Sequence, residues 1–150
     1  MSSYLNIYLE PKKTEKVCKE ENGSEVWVEE PLSEGKPLLL CSYTRSSPIY
    51  KAFNEGMYVD STPKIVTKDN LRSVKAMVEL NYNKLKKRHD LDFEILSKVY
   101  NSELKEELFE IKEEMDELEE ASRFVTFLMD ILEDIEINCN SFTKVYVSIS

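Results

Sequence analysis

The sequence predicts an α+β fold: a small antiparallel β-sheet, a short helix and a long antiparallel helical hairpin of coiled-coil character. Three observations carry this expectation. All three glycines and all five prolines fall within the first 63 residues, so the rest of the chain lacks the two strongest helix breakers. Leu104, Leu108, Ile111, Met115, Leu118, Ser122, Val125, Met129 and Leu132 recur at steps of four and three, a seam that must be buried against another helix. Alternating apolar segments stand at residues 4–9 and 143–149, near the two ends of the chain. At 150 residues the expected organisation is one domain, with a β-rich head from 1–66 and 138–150 and a hairpin from 67–137.

The elements follow in order. In residues 4–9, Leu5, Ile7 and Leu9 face one side of a half-buried strand, which Pro11 closes. Residues 12–23 are charged and end in Asn22-Gly23, a turn dipeptide, so they read as a solvated loop or a weak hairpin arm. Residues 25–29 and 36–43 suit two further strands joined by a hairpin-like loop at 31–35, with Trp27, the sole tryptophan, expected in the core or capping it. Ser47 is an apt N-cap, Pro48 an apt first helical residue and Gly56 an apt stop for a short helix. Residues 57–66 connect, broken by Pro63, and Thr67 caps the first long helix.

Charge places the turn between the long arms. Residues 67–100 hold eight Lys/Arg and five Asp/Glu, a balance of +3, whereas residues 101–137 hold three and fourteen, a balance of −11. A reversal at Asn101-Ser102 sets Lys86 opposite about position 117, so that Lys84, Lys86, Lys87 and Arg88 meet the acidic run Glu113, Glu114, Asp116, Glu117, Glu119 and Glu120. Helices over 68–100 and 102–137 result, the first with a seam of Leu71, Val74, Val78, Leu85, Ile95 and Val99 and a kink hazard at His89-Asp90. The second arm is apolar over a wide arc at Phe124, Val125, Phe127, Leu128, Ile131, Leu132 and Ile135, so that end is expected to lie across the sheet. Residues 143–149 add a fourth strand to the N-terminal ones.

The net charge of −9 excludes a nonspecific grip on nucleic acid or on an anionic membrane, both of which need a basic surface. It suits a protein partner with a basic surface. Cys18, Cys41 and Cys139 form an odd set without CxxC spacing, so no disulfide framework is expected and a reducing cytoplasm is the expected compartment. No stretch reads as a signal peptide or a membrane span. His89, the only histidine, has no cysteine partner suggested by spacing, and no zinc set is evident.

Two places invite ligand chemistry. At the strand–TRSSP–helix junction, a helix N-terminus beside Arg45, Ser46 and Ser47 offers donors to a small anion or nucleotide, with Tyr43 and Tyr50 placed to stack or bond; the glycines of a phosphate-cradling loop are missing. On the second arm, Glu110 and Glu113 form an E-x-x-E pair, followed by Asp130 and Glu133. This pattern resembles the all-α nucleoside triphosphate pyrophosphohydrolases of the MazG kind, in which E-x-x-E and E-x-x-D pairs on facing helices hold Mg²⁺. The resemblance covers about 25 residues, and departs in that the second pair is reversed and shares a helix with the first. It implies a Mg²⁺ site at Glu110, Glu113, Asp130 and Glu133.

The reading that the sequence favours is non-catalytic, without cofactor: a protein-recognition module that presents Glu113, Glu114, Asp116, Glu117, Glu119 and Glu120 to a basic partner, with a possible homodimer through the helices. In general character, this small, acidic, Lys- and Glu-rich chain resembles bacteriophage accessory or inhibitor proteins, for which the compartment is the host cytoplasm.

Overall fold

A computed structural model describes residues 3–11, 14–31, 37–137 and 142–150. In chain order the elements are β1 (Tyr4–Pro11), β2 (Thr14–Glu21), β3 (Ser24–Pro31), β4 (Leu38–Thr44), α1 (Pro48–Met57), β5 (Lys64–Ile65), α2 (Lys68–Lys98), α3 (Ser102–Ile137) and β6 (Phe142–Ile149). The fold is α+β, with a four-stranded antiparallel sheet in the order β4-β1-β6-β5 and a separate two-stranded ribbon of β2 and β3.

Strand β1 is central because it is the most apolar alternation in the head. Leu5, Ile7 and Leu9 are buried, and across the ladder Ile7 and Leu9 face Val147 and Val145 of β6. On the other side Asn6 is buried too. Its carboxamide accepts from Ser42 (2.6 Å) and donates to Ser150 (2.7 Å), so three strands are tied together by satisfied polar contacts. The connection after α1 contributes more than the sequence suggested: β5 pairs with β6, and the Val66 N–H donates to the Val145 carbonyl (2.8 Å), covering what would otherwise be an open edge.

The ribbon departs from expectation. Residues 25–29 and 36–43 do not pair with each other: β3 pairs with β2, and β4 joins β1. Asn22 (φ 51°) and Gly23 (φ 80°) close a two-residue turn whose backbone twist suits a hairpin, and so local a closure has little chain entropy to overcome. The ribbon makes its substantial contacts internally. Trp27 is therefore 68% exposed, not a core residue. Cys18 is exposed on the ribbon and Cys41 is half-buried on β4; Cys139 lies outside the described residues.

Helix α1 starts as the sequence indicates, with Ser47 at the N-cap and Pro48 first, although the Ser47 side chain makes no capping bond. It ends at Met57, one residue beyond Gly56, where Tyr58 with its φ of 54° breaks the helix. Gly56 serves packing instead: a Cβ there would lie 2.8 Å from the Val74 Cα and N, so its absence lets α1 and α2 approach. Thr67 and Asn70 form a reciprocal capping box at the start of α2. The helix then runs unbroken through His89-Asp90 to Lys98. The chain reverses as expected, and the Asn101 side chain accepts from the Glu103 and Leu104 N–H groups (3.0 and 3.3 Å) to start α3.

The register of the arms keeps close to the charge-matched one near the head and departs from it toward the tip. Lys68 pairs with Glu136 (2.8 Å), the Tyr82 hydroxyl donates to Glu119 (3.1 Å), and Arg88 pairs with Glu107. Lys86 thus lies level with residues nearer the tip than Glu117, and the cross-arm ion pair of the basic run reaches Glu107, outside the acidic run. Apolar burial explains this. Exposed ion pairs contribute about 0.2–1 kcal/mol, whereas burying a Leu or Ile contributes about 1.5–3 kcal/mol. Leu108, Ile111, Met115 and Leu118 are buried in the seam and fix the register. The α2 seam also rolls. Leu71, Val74 and Val78 are buried, but Ile95 and Val99 are exposed, and His89, Asp92 and Leu96 take the half-buried positions. A helix of 3.6 residues per turn drifts about 20° per heptad from a 3.5-residue pattern, which turns the last predicted positions out of the contact.

At its other end α3 lies against the head, as its wide apolar arc predicts. Val125 and Leu128 are buried in one core with Leu5, Ile7, Phe53, Leu71, Val145 and Val147, while Phe127 stays half exposed.

Candidate functional site

The β4–α1 corner and the middle of α3 meet, and two groups of sequence-predicted residues meet with them. Tyr43, Thr44, Ser46, Ser47 and Ile49 face Glu117, Glu120 and Ala121 across a cavity of about 450 Å³. The local fold explains the corner. The Ser47 N–H donates to the Thr44 carbonyl (2.9 Å), closing the turn, and the Thr44 and Ser46 hydroxyls lie 3.1 Å apart. The Tyr43 ring packs edge-on to Phe124, centroids 5.6 Å apart, which ties the end of β4 to α3.

The other members of the junction set go elsewhere. Tyr50 is buried in the core, and Arg45 is exposed and does not line the cavity. Without Arg45 and with two carboxylates in its wall, the cavity has the wrong sign for a phosphate or another small anion; the carboxylates offset the positive end of α1. Its hydroxyls, the Tyr43 ring and the carboxylates suit cationic or hydrogen-bond-donating groups.

Ionisation at the corner is shifted in the direction that burial dictates. Burial pushes the Tyr43 hydroxyl up to about 12, helped by neighbouring Cys41 and by Glu120. Burial likewise pushes the Cys41 thiol up to about 11, against a hydrogen bond with Tyr43 that lowers it. Cys41 is thus held as a neutral thiol, unsuited to nucleophilic work.

Glu113, Glu114, Asp116, Glu117, Glu119 and Glu120 are all exposed on α3. Asp116 pairs with Lys112 (3.5 Å) and Glu119 accepts from Tyr82, whose hydroxyl this bond holds above the usual tyrosine range. Among the described residues, Glu113, Glu114 and Glu117 have no hydrogen bond or ion pair. Glu106, Glu110, Glu113, Glu117 and Glu120 recur at four and three, so they form one stripe along the helix that ends in the corner cavity. Glu117 and Glu120 were legible as members of an acidic run. Their position in the wall of the Tyr43 cavity was not, because it depends on how α3 crosses the sheet.

The four carboxylates of the Mg²⁺ set are not brought together. Glu110, Glu113, Asp130 and Glu133 all lie on the single helix α3, and at 1.5 Å per residue the two pairs stand about 25 Å apart. Carboxylates so far apart cannot share an ion, and no group of three or more His, Cys, Asp or Glu suited to a metal occurs among the described residues. No helix of the described residues is long and apolar enough to cross a membrane. Compared with known protein families, curated proteins and solved structures, the chain matches none.

Proposed function

We propose that this protein is a non-catalytic recognition module whose α3 acidic stripe docks on a basic surface of a partner protein. One observation carries the reading: the acidic run is exposed along α3, and the basic run of α2 spends its cross-arm ion pair on Glu107 instead of on it. Carboxylates grouped on a rigid helix repel one another unless an opposite charge is brought to them, and a basic partner supplies it. The corner cavity at the end of the stripe suits the partner's lysine or arginine side chains. Covering a basic patch on another protein is the chemistry of an accessory or inhibitory subunit.

The test uses a fluorescent hexa-arginine peptide, followed by anisotropy. Binding is expected at about 50 mM salt and loses about tenfold or more by 300 mM, because exposed charge contacts are screened. Replacing Glu113, Glu117 and Glu120 together by Gln is expected to weaken it by a similar factor. Binding that ignores both salt and the triple substitution, or no binding at low salt, removes the reading.

A further inference from the structure

We propose that the distal half of the hairpin is completed by a second copy of this chain, packed through the face that carries Phe93 and Phe109. The inference is independent of the basic-partner reading. It begins with an imbalance between the arms. Helix α3 buries Leu108, Ile111 and Met115, but α2 has no buried residue after Val78, although it continues to Lys98. The distal arms therefore form a two-helix pair with bare flanks, the situation in which helices gather into bundles.

One flank is open along its length. Tyr82, His89 and Phe93 recur at helical spacing on α2, as do Phe109, Lys112, Asp116 and Glu119 on α3, and the Tyr82–Glu119 hydrogen bond sets the two rows side by side. Among the described residues, none of the head lines the hollow between Tyr82 and Glu119, whereas on the opposite flank Pro48, Lys51 and Glu55 of α1 stand beside Lys84 and Glu114. On the open flank Phe93 and Phe109 are 62% and 66% exposed, with His89 stacked on Phe93 (centroids 6.4 Å, planes 8° apart). Exposed aromatic rings from both arms on one flank of a helical pair have the composition of an interface core.

Charge and geometry choose a second copy as the occupant. Residues 84–98 carry five basic and three acidic side chains, a balance of +2, and residues 102–112 carry two and four, a balance of −2. The tip is thus neutral on a chain of −9, so two copies meet there with the least repulsion. A strongly basic partner would be drawn to the acidic run instead. Phe93 and Phe109 each lie eight residues from Asn101, and the Tyr82–Glu119 contact holds the arms near that register, so the two rings stand within about a turn of each other in height. A two-fold axis along the hairpin, tips together, sets each α2 against the other copy's α3. Phe93 of each copy then meets Phe109 of the other.

The experiment has two parts. Light scattering of the full chain from about 5 to 200 µM is expected to show mass rising toward twice the 17.5 kDa chain, and Phe93→Glu with Phe109→Glu to hold it at one chain with unchanged circular dichroism. Phe93→Ser serves if the double variant fails to fold, and is expected to weaken association about tenfold. Second, with the native cysteines replaced by Ser, an equimolar mixture of Phe93→Cys and Phe109→Cys chains is expected to oxidise mainly to the mixed disulfide. A single-chain mass throughout, a dimer that survives the aromatic substitutions, or self-disulfides that dominate would each overturn the proposal.

Discussion

Tyr43 and Cys41 show how one residue pair links the sheet to α3 and to pH. Both groups ionise in the folded chain only well above their ordinary values of 10.0 and 9.0, so the fold favours their neutral forms. Their contribution to stability is complete below about pH 9; as pH rises, the unfolded chain releases these protons first and the contribution is lost by about pH 12. The melting temperature is expected to be level up to pH 9 and to fall above it, and Tyr43→Phe should remove the phenol's share of that fall. Gly56 makes a second residue-scale prediction. Gly→Ala inside a helix ordinarily gains about 0.5–1 kcal/mol, but here the new methyl meets Val74 backbone, not a side chain that can swing away. The clash wins, and Gly56→Ala is expected to destabilise by about 1–3 kcal/mol in urea denaturation.

Among the elements, the hairpin is where sequence reasoning succeeded and then stopped. Its turn was legible because Asn101 is a cap residue and the charge balance changes sign there, and the apolar seam of α3 was legible because its spacing is regular. The register was legible near the head, where Lys68 and Tyr82 meet Glu136 and Glu119, but not toward the tip, where apolar burial decides more strongly than weak charge pairing. The outward roll of Ile95 and Val99 was missed for a related reason: a heptad template ignores the drift of a straight helix. One residue records the result of that roll. Asp92 lies toward the seam, and its Oδ2 is buried without a hydrogen-bond partner. Asp92→Leu removes an unpaired carboxylate oxygen and adds apolar contact, so chemical denaturation should show a gain on the order of 1–2 kcal/mol. Likewise the corner site was half legible: the TRSSP cap and Tyr43 could be read locally, but the arrival of Glu117 and Glu120 from over seventy residues away could not.

For the whole molecule, the uneven charge is the dominant feature, with −11 over residues 101–137 against −9 for the entire chain. Self-repulsion along α3 opposes the compact state, so raising NaCl from about 20 to 300 mM is expected to raise the melting temperature even as it weakens docking on basic peptides. A chain whose stability falls with added salt would show that attraction, not repulsion, dominates its surface. How such unfolding is followed matters, because the ribbon carries the only indole and stands clear of the core. Trp27 should emit at the long wavelength of a water-bathed fluorophore in the native protein and barely change when the helices melt. Emission from that single ring is therefore blind to collapse of the core, and a blue shift of it signals that something has come to rest on the ribbon.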